Sequence, residues 1–284
     1  MSSDAEFDLH GDDAAPRPPA LRVGVVGAAG RMGAEIVRAL HADAQFEVVA
    51  AVDRTGIGRP LADVIGGNVP ELVISEKVGL ALDACEADVI VDMSHASAVA
   101  SHAQSAAKRG VSFVIGATGI SHDDVCELEA LTQSHGVAGM IVPNFAIGAV
   151  LMTRFAELAA RWLPDAEIIE MHHERKEDAP SGTAMLTAEL IAGARRSSPQ
   201  PLPTPLLKAE GARGGTVHAV PVHSVRLPGL LAHQEVIFGG PGETLTIRHD
   251  SLTRESFMVG VKLCCRTVRQ LSGLTIGMDK ILFR

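Results

Sequence analysis

The chain has 284 residues, enough for one large or two modest hydrophobic cores, and two domains are the better expectation. Its 34 acidic against 25 basic side chains leave a net charge of −9, which opposes nonspecific binding to nucleic acid or to an anionic membrane surface. No run of about eighteen apolar residues is present to cross a bilayer as a helix.

The first stretch, MSSDAEFDLHGDDAAPRPPA, is acidic and Pro-rich rather than basic and then apolar, so residues 1–19 are expected to form a disordered tail on a cytoplasmic protein. Cys85, Cys126, Cys264 and Cys265 show no C-x-x-C spacing and suit reduced, structural thiols.

Leu21 to Val26 is an apolar, β-branched run that leads into GAAGRMG, Gly27 to Gly33, and then into the helix-like AEIVRALH. A glycine pattern alone is weak evidence. Between a strand and a helix, small residues such as Gly27, Ala28, Ala29 and Gly30 let the backbone approach a pyrophosphate. The form is G-x-x-G-x-x-G, with Ala29 where the commoner fingerprint has its second glycine. The next strand, FEVVAAVDR, ends in Asp53 and Arg54. An acid there accepts the ribose hydroxyls of NADH, whereas a cation there holds the 2′-phosphate of NADPH, so the pair side by side predicts that either cofactor works. The glycines at 56 and 58 and the region 66–70 read as extended loop without chemistry.

DVIVDM, a helix-like HASAVASHAQSAAKRG and then VSFVIGATG continue the alternation of strand and helix that implies a parallel sheet. Ligands of such sheets lie beyond the carboxyl ends of the strands, which points to Ser94, Gly116, Ala117 and Thr118. Ser121 and Asp124 form a capping box that opens a further helix, and VAGMIV closes the series as a strand. Val142, Pro143, Asn144 and Phe145 follow, and Gly148 supplies freedom for a hinge. Leu151, Phe155, Leu158 and Trp162 recur at helical spacing and are expected to face the core.

The most informative stretch is EIIEMHHERKEDAPSGTA, residues 167–184. Its apolar start suits a strand ending near Met171. Ser181 suits the cap of a helix whose first N–H groups, at Gly182 and Thr183, offer an anion site beside His172, His173 and Lys176. A charged loop before a helix cap is, by itself, most often a solvated connection. HHERK lacks the i, i+4 histidine pair of a helical zinc site and has no cysteine nearby, so no metal is expected.

The motif E-x-H-H-x-x-K-x-D-A-P-S-G-T-A resembles the active-site stretch of the dihydrodipicolinate reductase family of lysine biosynthesis. GAAGRMG is similar to that family's cofactor loop, in which Arg31 and Met32 also line the cofactor. P-N-F-A-x-G is similar to its P-N-F-S-x-G crossing between cofactor and substrate domains. The departures are Ala146 for that serine, Asp92-Met93-Ser94 for D-F-T and GATG for G-T-T-G, where Ala117 removes a hydroxyl. The resemblance implies reduction of a cyclic imine dicarboxylate by NADH or NADPH, with His172 and Lys176 as the acid/base pair and His173, Ser181, Gly182 and Thr183 at the substrate.

Beyond 184 a helix is followed by a Pro/Gly-rich loop. HAVPVHSVRL, HQEVIF and ETLTIRH then read as strands of an antiparallel or mixed sheet. His218, His223, His233 and His249 belong to that sheet, and scattered histidines of this kind are more often packing residues than ligands. In the family such a sheet lines a homotetramer interface, and RESFMVGVKLCCRTVRQL is a helix that packs back on the cofactor domain. The expected architecture is therefore α/β, with a Rossmann-like cofactor domain over 20–144 with 255–284 and an α+β substrate domain over 145–254. Two other classes carry the same glycine loop. A different Rossmann oxidoreductase has no reason to contain HHERKEDAPSGTA, and a cofactor-sensing regulator would need a recognition element that this acidic chain does not show.

Overall fold

The computed structural model describes residues 19–200 and 206–283, so the tail expected over 1–19 lies almost wholly outside the described residues. Strand β1 (Leu21–Val26) is followed by α1 (Arg31–His41), β2 (Phe46–Val52), and two short helices, α2 (Leu61–Ile65) and α3 (Val78–Asp83). Then come β3 (Val89–Asp92), α4 (Ala96–Ala107), β4 (Ser112–Ile115), α5 (His122–His135) and β5 (Gly139–Ile141). These strands form a six-stranded sheet in the order β11-β5-β4-β3-β1-β2, in which every pairing is parallel. Its sixth member, β11 (Leu274–Ile276), comes from the end of the chain.

Strand periodicity sorts the apolar side chains onto two faces. Val23, Val25, Val89, Val91 and Val114 pack under α1 and α8 (Met258–Val268), whereas Val26, Ile90, Phe113 and Ile115 pack under α3, α4 and α5. Both faces are covered, as a parallel sheet requires. Ser121 caps α5 in a reciprocal capping box with Asp124, and Gly136 ends that helix in the left-handed region. Cys264 and Cys265 are buried on α8, and burial pushes the Cys264 thiol up to about 12, which keeps it protonated.

The chain leaves the first sheet through 142–146 into α6 (Ile147–Ala160), β6 (Asp165–His172) and α7 (Gly182–Ala194). Strands β7 (Gly215–Val217), β8 (Val220–Arg226), β9 (Ala232–Gly240) and β10 (Glu243–Ser251) complete a five-stranded sheet in the order β10-β9-β6-β8-β7. It is mixed: β6 runs parallel to β8 and the other pairings are antiparallel. His218 sits with Ala219 in the tight turn joining β7 and β8, both at positive φ, while His223, His233 and His249 lie on strands. A short 3-10 turn at Arg254–Phe257 leads into α8, and α9 (Asp279–Leu282) ends the described chain.

One expectation fails on α6. Phe155, Leu158 and Trp162 are 48%, 55% and 72% exposed, whereas Ala149, Met152, Thr153, Ala156 and Ala160 face inward. The helix carries two stripes, and the one made mostly of small residues is inside because it lets α6 lie close against α7 and the second sheet. Trp162 is instead covered by the guanidinium of Arg196, 4.7 Å from its ring centre.

The crossing segment is gripped by α8. A Cβ on Gly260 would stand 2.0 Å from the carbonyl oxygen of Phe145. Gly260→Ala is therefore expected to lose roughly 1–3 kcal/mol through overpacking, read as a fall in Tm of about 2–4 °C per kcal/mol; an unchanged Tm would show that this helix is not in close contact with the crossing.

Candidate active site

The site grows from a buried carboxylate. The strand parity that places Ala166 and Ile168 of β6 under α6 and α7 carries Glu170 and His172 onto the same face. Glu170 is fully buried. Its Oε1 accepts hydrogen bonds from Arg226 Nη2 at 2.8 Å and from the Ser181 N–H at 3.2 Å, and its Oε2 meets Arg226 Nη1 at 3.0 Å and His172 Nδ1 at 2.5 Å. Burial alone would raise the Glu170 pKa, but the hydrogen bonds from His172 and Arg226 outweigh it and hold the carboxyl at about 2. Arg226 reaches it because β8 runs beside β6 with Arg226 directly opposite His172. The same guanidinium also donates to the carbonyl of Asp178 at 2.7 Å, which ties down the loop between β6 and α7.

That loop carries the expected cations. His173 Nδ1 accepts from the Arg175 N–H at 3.2 Å, and Lys176 Nζ lies 2.7 and 2.8 Å from the two Asp178 oxygens. The His173 pKa is lowered, first by burial and then by Arg175, with a smaller contribution from Arg31 at the start of α1. Ser181 caps α7 by accepting from the Ala184 N–H at 3.2 Å, and no acid lies in the first turn. A Cβ on Gly182 would meet nothing within 4 Å, so open space stands over the helix start. Asn144, in the crossing segment, donates to Thr183 Oγ1 at 3.4 Å and so joins the two halves of the site.

On the first sheet the glycine turn is built as its sequence requires. Gly27 has φ +78°, and a Cβ on Gly33 would fall 2.0 Å from the Gly27 carbonyl oxygen. Gly30 caps α1 without a side-chain acceptor, and the first turn contains no acid, which leaves a positive helix end for an anionic group such as a pyrophosphate. Asp53 accepts the Ala29 N–H at 2.9 Å and the Thr55 N–H at 2.8 Å, so it shapes this turn, with Arg54 exposed beside it. Ala29, Gly30 and Arg31 line a cleft of about 280 Å³. An adjoining cleft of about 370 Å³ runs on past Glu35 and Arg254 to Leu231 and Leu252 beside the second sheet.

Residues 21–145 match the family described as "Dihydrodipicolinate reductase, N-terminus" and residues 148–282 match "Dihydrodipicolinate reductase, C-terminus". The chain belongs to the dihydrodipicolinate reductase family. It is 47% identical to the 4-hydroxy-tetrahydrodipicolinate reductase of Moorella thermoacetica and 45% identical to that of Bacillus pumilus, in each case over 92% of this chain and 98% of the relative. A dipicolinate-bound dihydrodipicolinate reductase from Paenisporosarcina sp. TG-14 superposes with a TM-score of 0.82 at 39% identity, over 92% of this chain and 99% of that one.

Against that family pattern, His172, His173, Lys176, Ser181, Gly182 and Thr183 do fall together at the junction of β6 and α7. Gly27, Ala29, Gly30, Arg31, Met32, Asp53, Gly116, Thr118, Pro143 and Asn144 lie on loops, caps or first turns at the carboxyl ends of the first-sheet strands. Ala28, Ala117, Val142 and Phe145, also expected at the cofactor, are buried as whole residues and packed into the two cores that flank the first sheet. Gly116 also has a packing reason, since a Cβ there would stand 2.4 Å from Met93 Sδ and 2.6 Å from Phe145. Among the described residues no group of three or more His, Cys, Asp or Glu is arranged to hold a metal ion.

Arg226 and Arg254 were not singled out by sequence, and Glu170 appeared only as the first letter of the motif. Glu170 did leave a signal, a carboxylate at the inward parity of an otherwise apolar strand. Arg226 left none, being recognisable only from the register of two strands distant in sequence. Arg226→Met is expected to cost roughly 3–5 kcal/mol by leaving the Glu170 charge buried and unpaired, measured by urea unfolding; a loss below about 1 kcal/mol, the worth of an exposed pair, would contradict this. A carboxyl held below its ordinary value of 4.5 stabilises the fold fully above about that pH and loses its contribution as the pH falls toward 2. The stability of the wild type relative to Glu170→Gln should accordingly shrink across that window, and a difference independent of pH would refute the depressed value.

Proposed function

We propose that this protein reduces 4-hydroxy-tetrahydrodipicolinate to tetrahydrodipicolinate in the diaminopimelate route to lysine, with NADH or NADPH as reductant. The overall change is substrate plus NAD(P)H plus a proton giving tetrahydrodipicolinate, NAD(P)+ and water. In this reading residues 20–144 with 255–284 hold the cofactor, and residues 145–254 hold the substrate and form the contacts of a homotetramer. The observation that carries the reading is that the end of β6, the loop after it and the start of α7 bring together a carboxylate-anchored histidine, a second histidine, a lysine and an open, capped helix start, in a chain whose first sheet carries the glycine turn of a dinucleotide fold.

The residues of the first sheet suit a dinucleotide: the uncapped start of α1 takes the pyrophosphate, Asp53 takes ribose hydroxyls with lone pairs left over from its two backbone contacts, and Arg54 takes a 2′-phosphate. The reduced nicotinamide supplies a hydride. The substrate carries two carboxylates, and the N–H groups of Gly182 and Thr183, with His173 and the Ser181 cap, fix one of them by charge-assisted bonds. A dipicolinate-bound relative at 39% identity supports a ring with two acidic groups as the class of ligand. Once the 4-hydroxyl has left as water, hydride adds at C4 of the resulting conjugated imine and leaves an enamine, and His172 and Lys176 are the residues assigned to manage the proton it needs. Lys176 is held by both oxygens of Asp178, an exposed residue of the same loop. The uncovered face of β6, with Ile169 and Met171, and the exposed stripe of α6 support assembly through the second half.

The decisive assay supplies substrate with dihydrodipicolinate synthase and follows nicotinamide absorbance; no oxidation by the wild type would refute the reading. Lys176→Ala is expected to lower kcat by roughly 10²–10⁴ with cofactor affinity nearly unchanged, and normal turnover would contradict the role assigned to it. Arg54→Ala is expected to weaken NADPH by about ten- to a hundredfold, the worth of a hydrogen-bonded charge, with NADH affected less; the opposite order in cofactor titrations would remove the phosphate contact.

A further inference from the structure

The hydrogen bonds around Glu170 have directions as well as lengths. The Arg226 guanidinium and the Ser181 backbone N–H possess no acceptor atoms, so three of the four close contacts to this carboxylate can run only toward its oxygens. The fourth partner, His172 Nδ1 at 2.5 Å from Oε2, can be a donor or an acceptor according to its tautomer. An ionised carboxylate donates nothing, and this one is fully buried between two elements that both require it to be ionised. The proton therefore sits on Nδ1, and the lone pair of the neutral ring sits on Nε2, the nitrogen pointing away from Glu170.

We propose that Glu170 is the positioning residue of the reaction: by accepting the Nδ1 proton of His172 it fixes the ring's tautomer and orientation and turns Nε2 toward the substrate. The proposal rests on the acid/base role given to His172 above. The same carboxylate also holds the N–H of Ser181, whose hydroxyl caps α7. One buried anion thus sets the distance between the proton-handling ring and the turn that receives a substrate carboxylate. Arg226 has no direct part in this; it compensates the charge so that the anion can remain inside.

Glu170→Gln makes a sharp test because the amide has one acceptor and one donor end. With its oxygen at the Oε1 position the amide satisfies two donors, the Ser181 N–H and Arg226 Nη2, and its NH2 group faces His172 Nδ1 and one N–H of Arg226 Nη1; the opposite orientation sets the NH2 group against both Oε1 donors instead. In the first orientation that ring nitrogen must become an acceptor, and the proton moves to Nε2.

The experiment is 15N spectroscopy of histidine-labelled protein, with His172 assigned by comparison with His172→Asn, alongside steady-state kinetics. In the wild type the neutral ring should carry its proton on Nδ1; an Nε2–H ring overturns the proposal whether or not any variant folds. In Glu170→Gln the proton should switch to Nε2 and kcat should fall by roughly 10²–10⁴, the size of a misplaced tautomer behind a catalytic histidine, while the KM values change little. Wild-type kcat in that variant, or a fall in kcat with the tautomer unchanged, also overturns it. A wild type that oxidises no cofactor with synthase-supplied substrate rejects the assigned reaction instead, and the spectra still decide whether Glu170 sets the His172 tautomer.

Discussion

A carboxylate shut away from water between two sheet strands and a helix start is costly unless every lone pair is matched, and that requirement organises the second half of this molecule. Matching Glu170 takes an arginine from β8, a histidine two residues along β6 and the first free N–H before α7. These groups meet only if β6 and β8 are parallel and in the observed register. Replacing such an arrangement by apolar side chains often leaves net stability unchanged or improves it. Its value here lies in geometry: hydrogen bonds constrain angles, and apolar packing would not aim an imidazole.

The architecture was largely legible because it depends on local pattern. Alternating runs such as DVIVDM and VSFVIG, separated by helical stretches, announce a parallel sheet, and Gly27, Gly30 and Gly33 sit where backbone atoms crowd within van der Waals distance. Ser121 and Ser181 cap the helices expected of them. What was not legible depends on tertiary choice. The stripe of α6 that contains Phe155 and Leu158 has the periodicity of a core face, but a helix with two apolar stripes needs the fold to decide between them, and the small-residue stripe permits closer approach. Likewise Ala28, Ala117 and Val142 follow the carboxyl ends of strands, where a cofactor edge is expected, yet packing against the two cores buries them. The partnership of Glu170 and Arg226 is a fact of register, and no local window contains it.

A short segment with several fixed contacts joins the two halves. Asn144 accepts the Ala146 N–H through its side chain and donates to Thr183, while the Phe145 carbonyl is pressed by Gly260 of α8. The residues that open α6 are thereby referred both to the first turn of α7 and to the last long helix. The carboxyl edge of the first sheet and the start of α7 thus share a common frame, as the proposed reaction between two bound molecules demands.

The last strand carries a consequence for biosynthesis. Strand β5 obtains its outer neighbour only from β11 at residues 274–276, and α8, which roofs one face of the same sheet, also lies beyond residue 257. Synthesis proceeds from the amino end and domains fold as units, so the half that is begun first is completed only after residues 258–276 have been made. Until then its edge and one apolar face stay open, although β6 to β10 have already been made. The nascent chain must therefore keep its earliest strands from foreign partners longer than its middle ones, and the acidic charge of the whole chain works in that direction.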